Sequence, residues 1–153
     1  MKLMMNGAVT VGTLDGANVE MYEQLGHRSF YLFGLRAEEV DALWAAGYSS
    51  VSYYNDSEVL QGIIRTLNRG FCGQSFSDFS QYLLYSKGIP DPYMCLADFA
   101  SYCSVHDRMN RDYLDKKQWT QMSLDNIAAS GIFSSDRSVR EYADNIWGIK
   151  PVR

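Results

Sequence analysis

The stretch GAVTVGTLDGANVEMYEQLGHRSFYLFG, residues 7 to 34, decides the fold. Val9, Thr10 and Val11 are β-branched and lie between Gly7 and Gly12, which predicts a short buried strand. Asp15-Gly16 is a turn signal. Ala17 to Leu25 then reads as a helix closed by Gly26, because the residue after a helix cap often takes a left-handed conformation that glycine accepts without cost. Phe30-Tyr31-Leu32-Phe33, closed by Gly34, reads as a second buried strand. Strand, helix and strand in that order build a parallel α/β sheet.

Outward from this stretch the pattern is helical almost to the end. Val40, Leu43 and Trp44 form an apolar stripe that stops at Gly47, and Val59, Leu60, Ile63, Ile64 and Leu67 form another that stops at Gly70. Asp91-Pro92 predicts a helix start, with Leu96, Phe99, Ala100 and Cys103 on one face. A further helix covers about Lys117 to Ser130, stopped by Gly131. Ser138 and Glu141 have capping-box spacing ahead of Val139, Tyr142, Ala143, Ile146 and Trp147, with Gly148 after them. About two strands and about six helices are too lopsided for a self-sufficient doubly wound sheet, which usually has about five or six strands. The expectation is an α/β, helix-rich chain that forms the tail of a larger doubly wound domain. It is a single partial domain over 1–153, with residues 1–35 ending the sheet portion and 36–153 mainly helical.

Composition narrows the function classes. Hydrophobic residues make up 46% of the 153 and charged residues 21%, the profile of a soluble globular protein. A net charge of −4, with dispersed basic residues, argues against nucleic acid as a partner. No apolar run approaches a membrane span, and the run that ends at Asn6-Gly7 is too short for a secretory signal. Cys72, Cys95 and Cys103 lack metal-ligand spacing and read as free buried thiols of a cytoplasmic protein.

Met1-Lys2, Asn6-Gly7-Ala8 and the unbroken Gly12-Thr13-Leu14-Asp15-Gly16-Ala17-Asn18-Val19-Glu20 resemble the signature of α-glucan (glycogen, starch or maltodextrin) phosphorylases. Phe33-Gly34, Tyr53-Tyr54, Ala97-Asp98-Phe99, Trp119, Asn126-Ile127-Ala128, Ser130-Gly131, Phe133-Ser134-Ser135-Asp136-Arg137, Tyr142-Ala143 and Ile146-Trp147-Gly148 follow in family order. Leu3, Met5, Val9 and Val11 depart from the pattern conservatively, and Gly70 to Asp91 does not follow the animal enzymes closely.

The resemblance implies the C-terminal part of a Rossmann-like, GT-B type domain. It also implies an enzyme that cleaves terminal α-1,4-glucosyl units with inorganic phosphate to give glucose 1-phosphate. The implied cofactor is pyridoxal 5′-phosphate, whose aldehyde is carried by a lysine and whose phosphate exchanges protons with the substrate phosphate. Lys2 matches that lysine and is the candidate cofactor-binding residue. In the family the loop that cradles the cofactor phosphate lies upstream of Met1. The chain is therefore expected to be an inactive fragment on its own, dependent on the upstream remainder of a phosphorylase for α-glucan and phosphate binding. The alternative is a non-catalytic binding or assembly module. Apolar surface left uncovered predicts self-association.

No catalytic or metal-ligating residue is assigned. Asp15, Asn18 and Glu20 fit a turn and a helix start. His27 and His106 read as surface residues without metal or triad spacing. Ser134-Ser135-Asp136-Arg137 fits helix capping, with no nearby histidine to activate a serine. The tyrosines spread over every helix and read as packing groups.

Overall fold

The computed structural model describes residues 1–150. In chain order the elements are α1 (Lys2–Met5), β1 (Thr10–Gly12), α2 (Ala17–Ser29), β2 (Phe30–Leu32), α3 (Ala37–Ala45), α4 (Ser50–Asn55), α5 (Glu58–Arg69), α6 (Ser77–Leu84), α7 (Cys95–Leu114), α8 (Lys116–Ala129) and α9 (Ser135–Tyr142). A 3₁₀ turn (Ser130–Phe133) precedes α9 and a π turn (Ala143–Trp147) follows it. The chain gathers into two compact units, one from Met1–Leu32 with the segment from Asp107 onward, the other from Phe33–His106.

In the first unit β1 and β2 pair in parallel, with Thr10 opposite Phe30, Val11 opposite Tyr31 and Gly12 opposite Leu32. This is the strand–helix–strand arrangement that residues 7 to 34 predict. Gly26 interrupts α2 as expected, at φ 63° and ψ −173°, yet the chain then resumes a helical turn as far as Ser29. Met4, Met21 and Phe30 form the core, and Tyr22, Leu25, Leu32, Ala129 and Phe133 pack around them. Burying each of the three contributes about 1.5–3 kcal/mol.

Side chains from α7 and α8 tie down β2. The fully buried Asn126 amide donates to the carbonyls of Ser29 and Met122, both at 2.9 Å. Ser29 Oγ donates to the Asp125 carboxylate at 2.7 Å, and Tyr31 Oη donates to Asp112 at 2.7 Å. Gly131 does not stop the chain's helical course, because the 3₁₀ turn carries it through to Phe133. The Ser138–Glu141 capping box is also overturned. Helix α9 begins at Ser135, where Ser134 Oγ accepts from the Arg137 N–H, and Ser138 lies inside the helix donating back to the Ser134 carbonyl.

The second unit is helical and closes on Leu60, Ile64, Leu84 and Leu96, with Tyr53, Tyr54, Leu67 and Phe99 against them. Only half of the α5 stripe is core: Leu60 and Ile64 point inward, whereas Val59 is 62% exposed. Its start is capped by Ser57, whose hydroxyl accepts from the Leu60 N–H. The helix start expected at Asp91-Pro92 moves to Cys95. Asp91 sits at φ 48° and is fully buried, and its carboxylate reaches forward to accept from the N–H groups of Cys95 (2.9 Å) and Leu96 (2.8 Å). It caps α7 from upstream of the cap position. On the expected face of α7, Leu96 is buried and Phe99 and Cys103 are half-buried, but Ala100 is exposed. The cysteines are free as read but not buried: Cys72 and Cys95 are exposed and Cys103 is intermediate.

Candidate cofactor-anchoring site

Lys2 is the first residue of α1, a helix too short to stand alone. Local bonds hold it. Asn6 Nδ2 donates to the Lys2 carbonyl at 2.8 Å, and the N–H groups of Gly7 and Ala8 donate to the carbonyls of Met4 and Leu3. Met4 is the one buried side chain of the helix, 1% exposed, and it enters the core with Met21 and Phe30. Two residues along a helix is about 200° around its axis, so the Met4 seat turns Lys2 away from the core. Lys2 is exposed, and its amine has no hydrogen-bond or ion-pair partner among the described residues. Exposed Leu3 and Met5 flank it. An accessible amine on a seated helix fits the anchoring of an aldehyde.

The signature loop is closed by bonds of its own. Asn18 Nδ2 donates to the Thr13 carbonyl at 3.0 Å, and its N–H donates to the Asp15 carbonyl. Thr13 Oγ1 donates to the Asp15 carboxylate at 2.9 Å. The Asn18 amide packs where a Cβ on Gly12 would stand, which explains that glycine. Asp15 and Asn18 therefore shape the turn, as read, and Glu20 is exposed in the first turn of α2.

His27 is exposed at the end of α2, and His106 is half-buried rather than on the surface, its ring 5.6 Å from that of Tyr102. Ser134 caps α9, and Arg137 pairs with Glu141 at 2.9 Å on an exposed face. Among the described residues no group of three or more His, Cys, Asp or Glu could hold a metal ion. No helix among them is long and apolar enough to cross a membrane.

Sequence reasoning missed one feature of the first unit, a cavity of about 730 Å³ lined by Arg28, Ser29, Tyr31, Arg108, Asp112 and Asp125 among others. Its residues come from α2, β2, α7 and α8, so no contiguous motif announces it. The Tyr31 hydroxyl there is pushed well above the ordinary tyrosine range, first by burial and then by the Asp112 carboxylate it donates to. The Arg108 guanidinium lies 5.1 Å from the same ring.

The carbohydrate phosphorylase family profile matches residues 1–149. The glycogen phosphorylase of Synechocystis sp. is 43% identical over 152 residues, 99% of this chain and 18% of that protein. The muscle form of glycogen phosphorylase from Oryctolagus cuniculus is 41% identical, and that from Homo sapiens 40%, each over 153 residues and 18% of the relative. The chain thus spans about a fifth of the length of the curated relatives it matches. The matched region takes in α1 with Lys2, the Gly12–Glu20 block and the Ser134–Arg137 turn, and the chain belongs to the carbohydrate phosphorylase family.

Proposed function

We propose that this chain supplies the C-terminal, cofactor-anchoring part of an α-glucan phosphorylase. The whole enzyme is a cytoplasmic glycosyltransferase that releases terminal α-1,4-glucosyl units as glucose 1-phosphate. In that reaction the bond from the anomeric carbon to the leaving glucan oxygen breaks, a bond to a phosphate oxygen forms, and a proton ends on the leaving oxygen. The observation that carries the reading is the exposed, unpartnered Lys2 amine on α1, inside a family match that begins at residue 1.

Lys2 would hold pyridoxal 5′-phosphate by its side-chain nitrogen, through the cofactor's aldehyde group. When bound, the cofactor supplies a phosphate that exchanges a proton with the substrate phosphate. Met4 seats the helix that carries Lys2 in the core, and Asn6 closes its last turn. The side chains of Thr13, Asp15 and Asn18 are bonded within the loop itself. The remainder of a phosphorylase, an α-glucan and phosphate are the partners this reading requires. All 153 residues are read as a part of one such catalytic domain.

A chimera carrying this chain in place of the matching segment of the Synechocystis enzyme tests the proposal. It should release glucose 1-phosphate from glycogen and phosphate, and borohydride reduction followed by peptide mapping should place one cofactor on Lys2. Lys2→Ala should abolish both, while the isolated chain should be inactive. A stoichiometric adduct on any other residue of the active chimera would overturn the assignment. The isolated chain should also self-associate, because Tyr142, Ile146 and Trp147 are 51%, 67% and 58% exposed. Light scattering that stays monomeric at high concentration would contradict this.

A further inference from the structure

Helix α1 has one buried side chain, so Met4 alone cannot fix its orientation. The second constraint comes from Gly7, at φ 78°, where the chain leaves α1. A Cβ on Gly7 would fall within the Ser123 hydroxyl and 3.3 Å from Ile127 Cδ1, both side chains of α8. Gly7 is therefore required twice, for its left-handed backbone and for the close approach of the loop to α8. We propose that Gly7 is a positioning residue for the Lys2 amine, and that its close approach to Ser123 lets α8, more than a hundred residues along the chain, set where the cofactor is held. This rests on Lys2 being the anchor.

The mechanical argument is one of relative firmness. Helix α8 is held by the fully buried Asn126 and the buried Met122, whereas α1 is four residues long with Leu3 75% and Met5 58% exposed. When the Gly7–Ser123 contact is overfilled beyond what a turn of the Ser123 hydroxyl relieves, α1, the more weakly held of the two, is the element that gives. Lys2 is five residues from Gly7, and the displaced loop is bonded straight back into α1 through the Gly7 and Ala8 N–H groups. A shift at Gly7 therefore passes to the residue that carries the amine.

The test uses the chimera described above, with Gly7→Ala, Ser123→Ala and the double variant. Three quantities are read well below the unfolding temperature: cofactor affinity, the absorption band of the bound cofactor, and the rate of borohydride trapping at Lys2. Gly7→Ala should weaken cofactor binding about a hundredfold, roughly tenfold from an alanine in the left-handed region and about tenfold more from overlap with Ser123. The double variant should recover the second factor and keep the first, because removing the hydroxyl makes room without relaxing the backbone. Ser123→Ala alone should change binding only slightly. Equal losses in Gly7→Ala and the double variant would overturn the role of Ser123. A lowered melting point with unchanged band and trapping rate would reduce Gly7 to a stability residue. If the trapped cofactor maps away from Lys2 in every protein, it is the anchor assignment that fails, and the peptide map separates that result from the other two.

Discussion

The two units stabilise their buried polar groups in different ways. In the first, the key bonds join residues far apart in sequence: Asn126 to Ser29 and Asp125 to Ser29 lock the end of α2, just before β2, onto α8, and Asp112 holds Tyr31. In the second, the deepest polar group works mainly on its own neighbourhood, with Asp91 accepting from Cys95 and Leu96 and from a single distant donor, Tyr48. The long-range bond there is left to Asp98, which accepts from the Leu35 N–H at 2.8 Å. The recognisable blocks are spread over both units: Gly12–Glu20, Asn126–Ala128 and Ser134–Arg137 lie in the first, and Phe33-Gly34, Tyr53-Tyr54 and Ala97-Asp98-Phe99 in the second, together with the departing stretch Gly70 to Asp91.

The sharpest way to break this comparison is to remove one such group from each unit. Asp91 is 0% exposed and accepts a 2.6 Å hydrogen bond from Tyr48 Oη besides the two from α7. Asp91→Ala strands three donors, the Leu96 N–H fully buried among them, and should cost about 3 kcal/mol. Asn126→Ala frees the carbonyls of Ser29 and Met122 and should cost about 1–3 kcal/mol. Urea unfolding gives both totals, and hydrogen exchange gives their location. Loss of protection should be confined to the start of α7 for Asp91→Ala, and should fall on β2 and α8 together for Asn126→Ala. The opposite pattern would dissolve the distinction between local and long-range anchoring.

High pH probes the same pair of environments. The Tyr31 and Tyr48 hydroxyls are both pushed far above the usual tyrosine range, by burial first and then by the carboxylates they donate to. For a group whose folded pKa is raised, the stabilisation is complete below the unfolded value, near about 10 for tyrosine, and is lost as pH rises beyond it. The unfolded chain then releases a proton that the folded one retains. Each tyrosine should therefore steepen the alkaline loss of stability by about 1.4 kcal/mol per pH unit. Tyr31→Phe and Tyr48→Phe should each flatten the curve by that amount. At neutral pH the two should differ: Tyr48→Phe strips a bond from a fully buried carboxylate, whereas Asp112 is only half-buried and can be hydrated. Equal losses at neutral pH would show that the depth of the carboxylate does not matter.

Much of the fold was legible because its signals are local. The β-branched run beside Gly12 and the aromatic run before Gly34 gave a parallel pair, and Gly26 broke α2 where expected. The misread points share one cause. Asp91 caps α7 from a left-handed turn four residues ahead of the helix, a geometry that depends on Tyr48 and the core rather than on spacing. Ser138–Glu141 has the right interval for a capping box, but Ser134 four residues earlier already caps the helix. As a candidate site, Lys2 was legible through motif resemblance alone. A lysine at the start of a four-residue helix is physically unremarked, and neither its seat on Met4 nor the approach of α8 to Gly7 could be read from intervals of more than a hundred residues.

The smallest effects test how far the motif in the first unit is architectural. Ser134-Ser135-Asp136-Arg137 offers two interactions: the Ser134 cap, accepting from the Arg137 N–H at 3.3 Å, and the Arg137–Glu141 pair at 2.9 Å. The cap satisfies a backbone donor that the helix cannot satisfy itself, so Ser134→Ala should cost about 1 kcal/mol. The ion pair joins two side chains that are 45% and 51% exposed, where water screens the attraction and ordering two long side chains opposes it. Glu141→Gln should therefore change stability by no more than about 0.5 kcal/mol, and that difference should fade in high salt. If denaturant titration ranked the two the other way, the arginine rather than the cap would be what the motif is built around. A ligand-facing role for that guanidinium would then need to be sought.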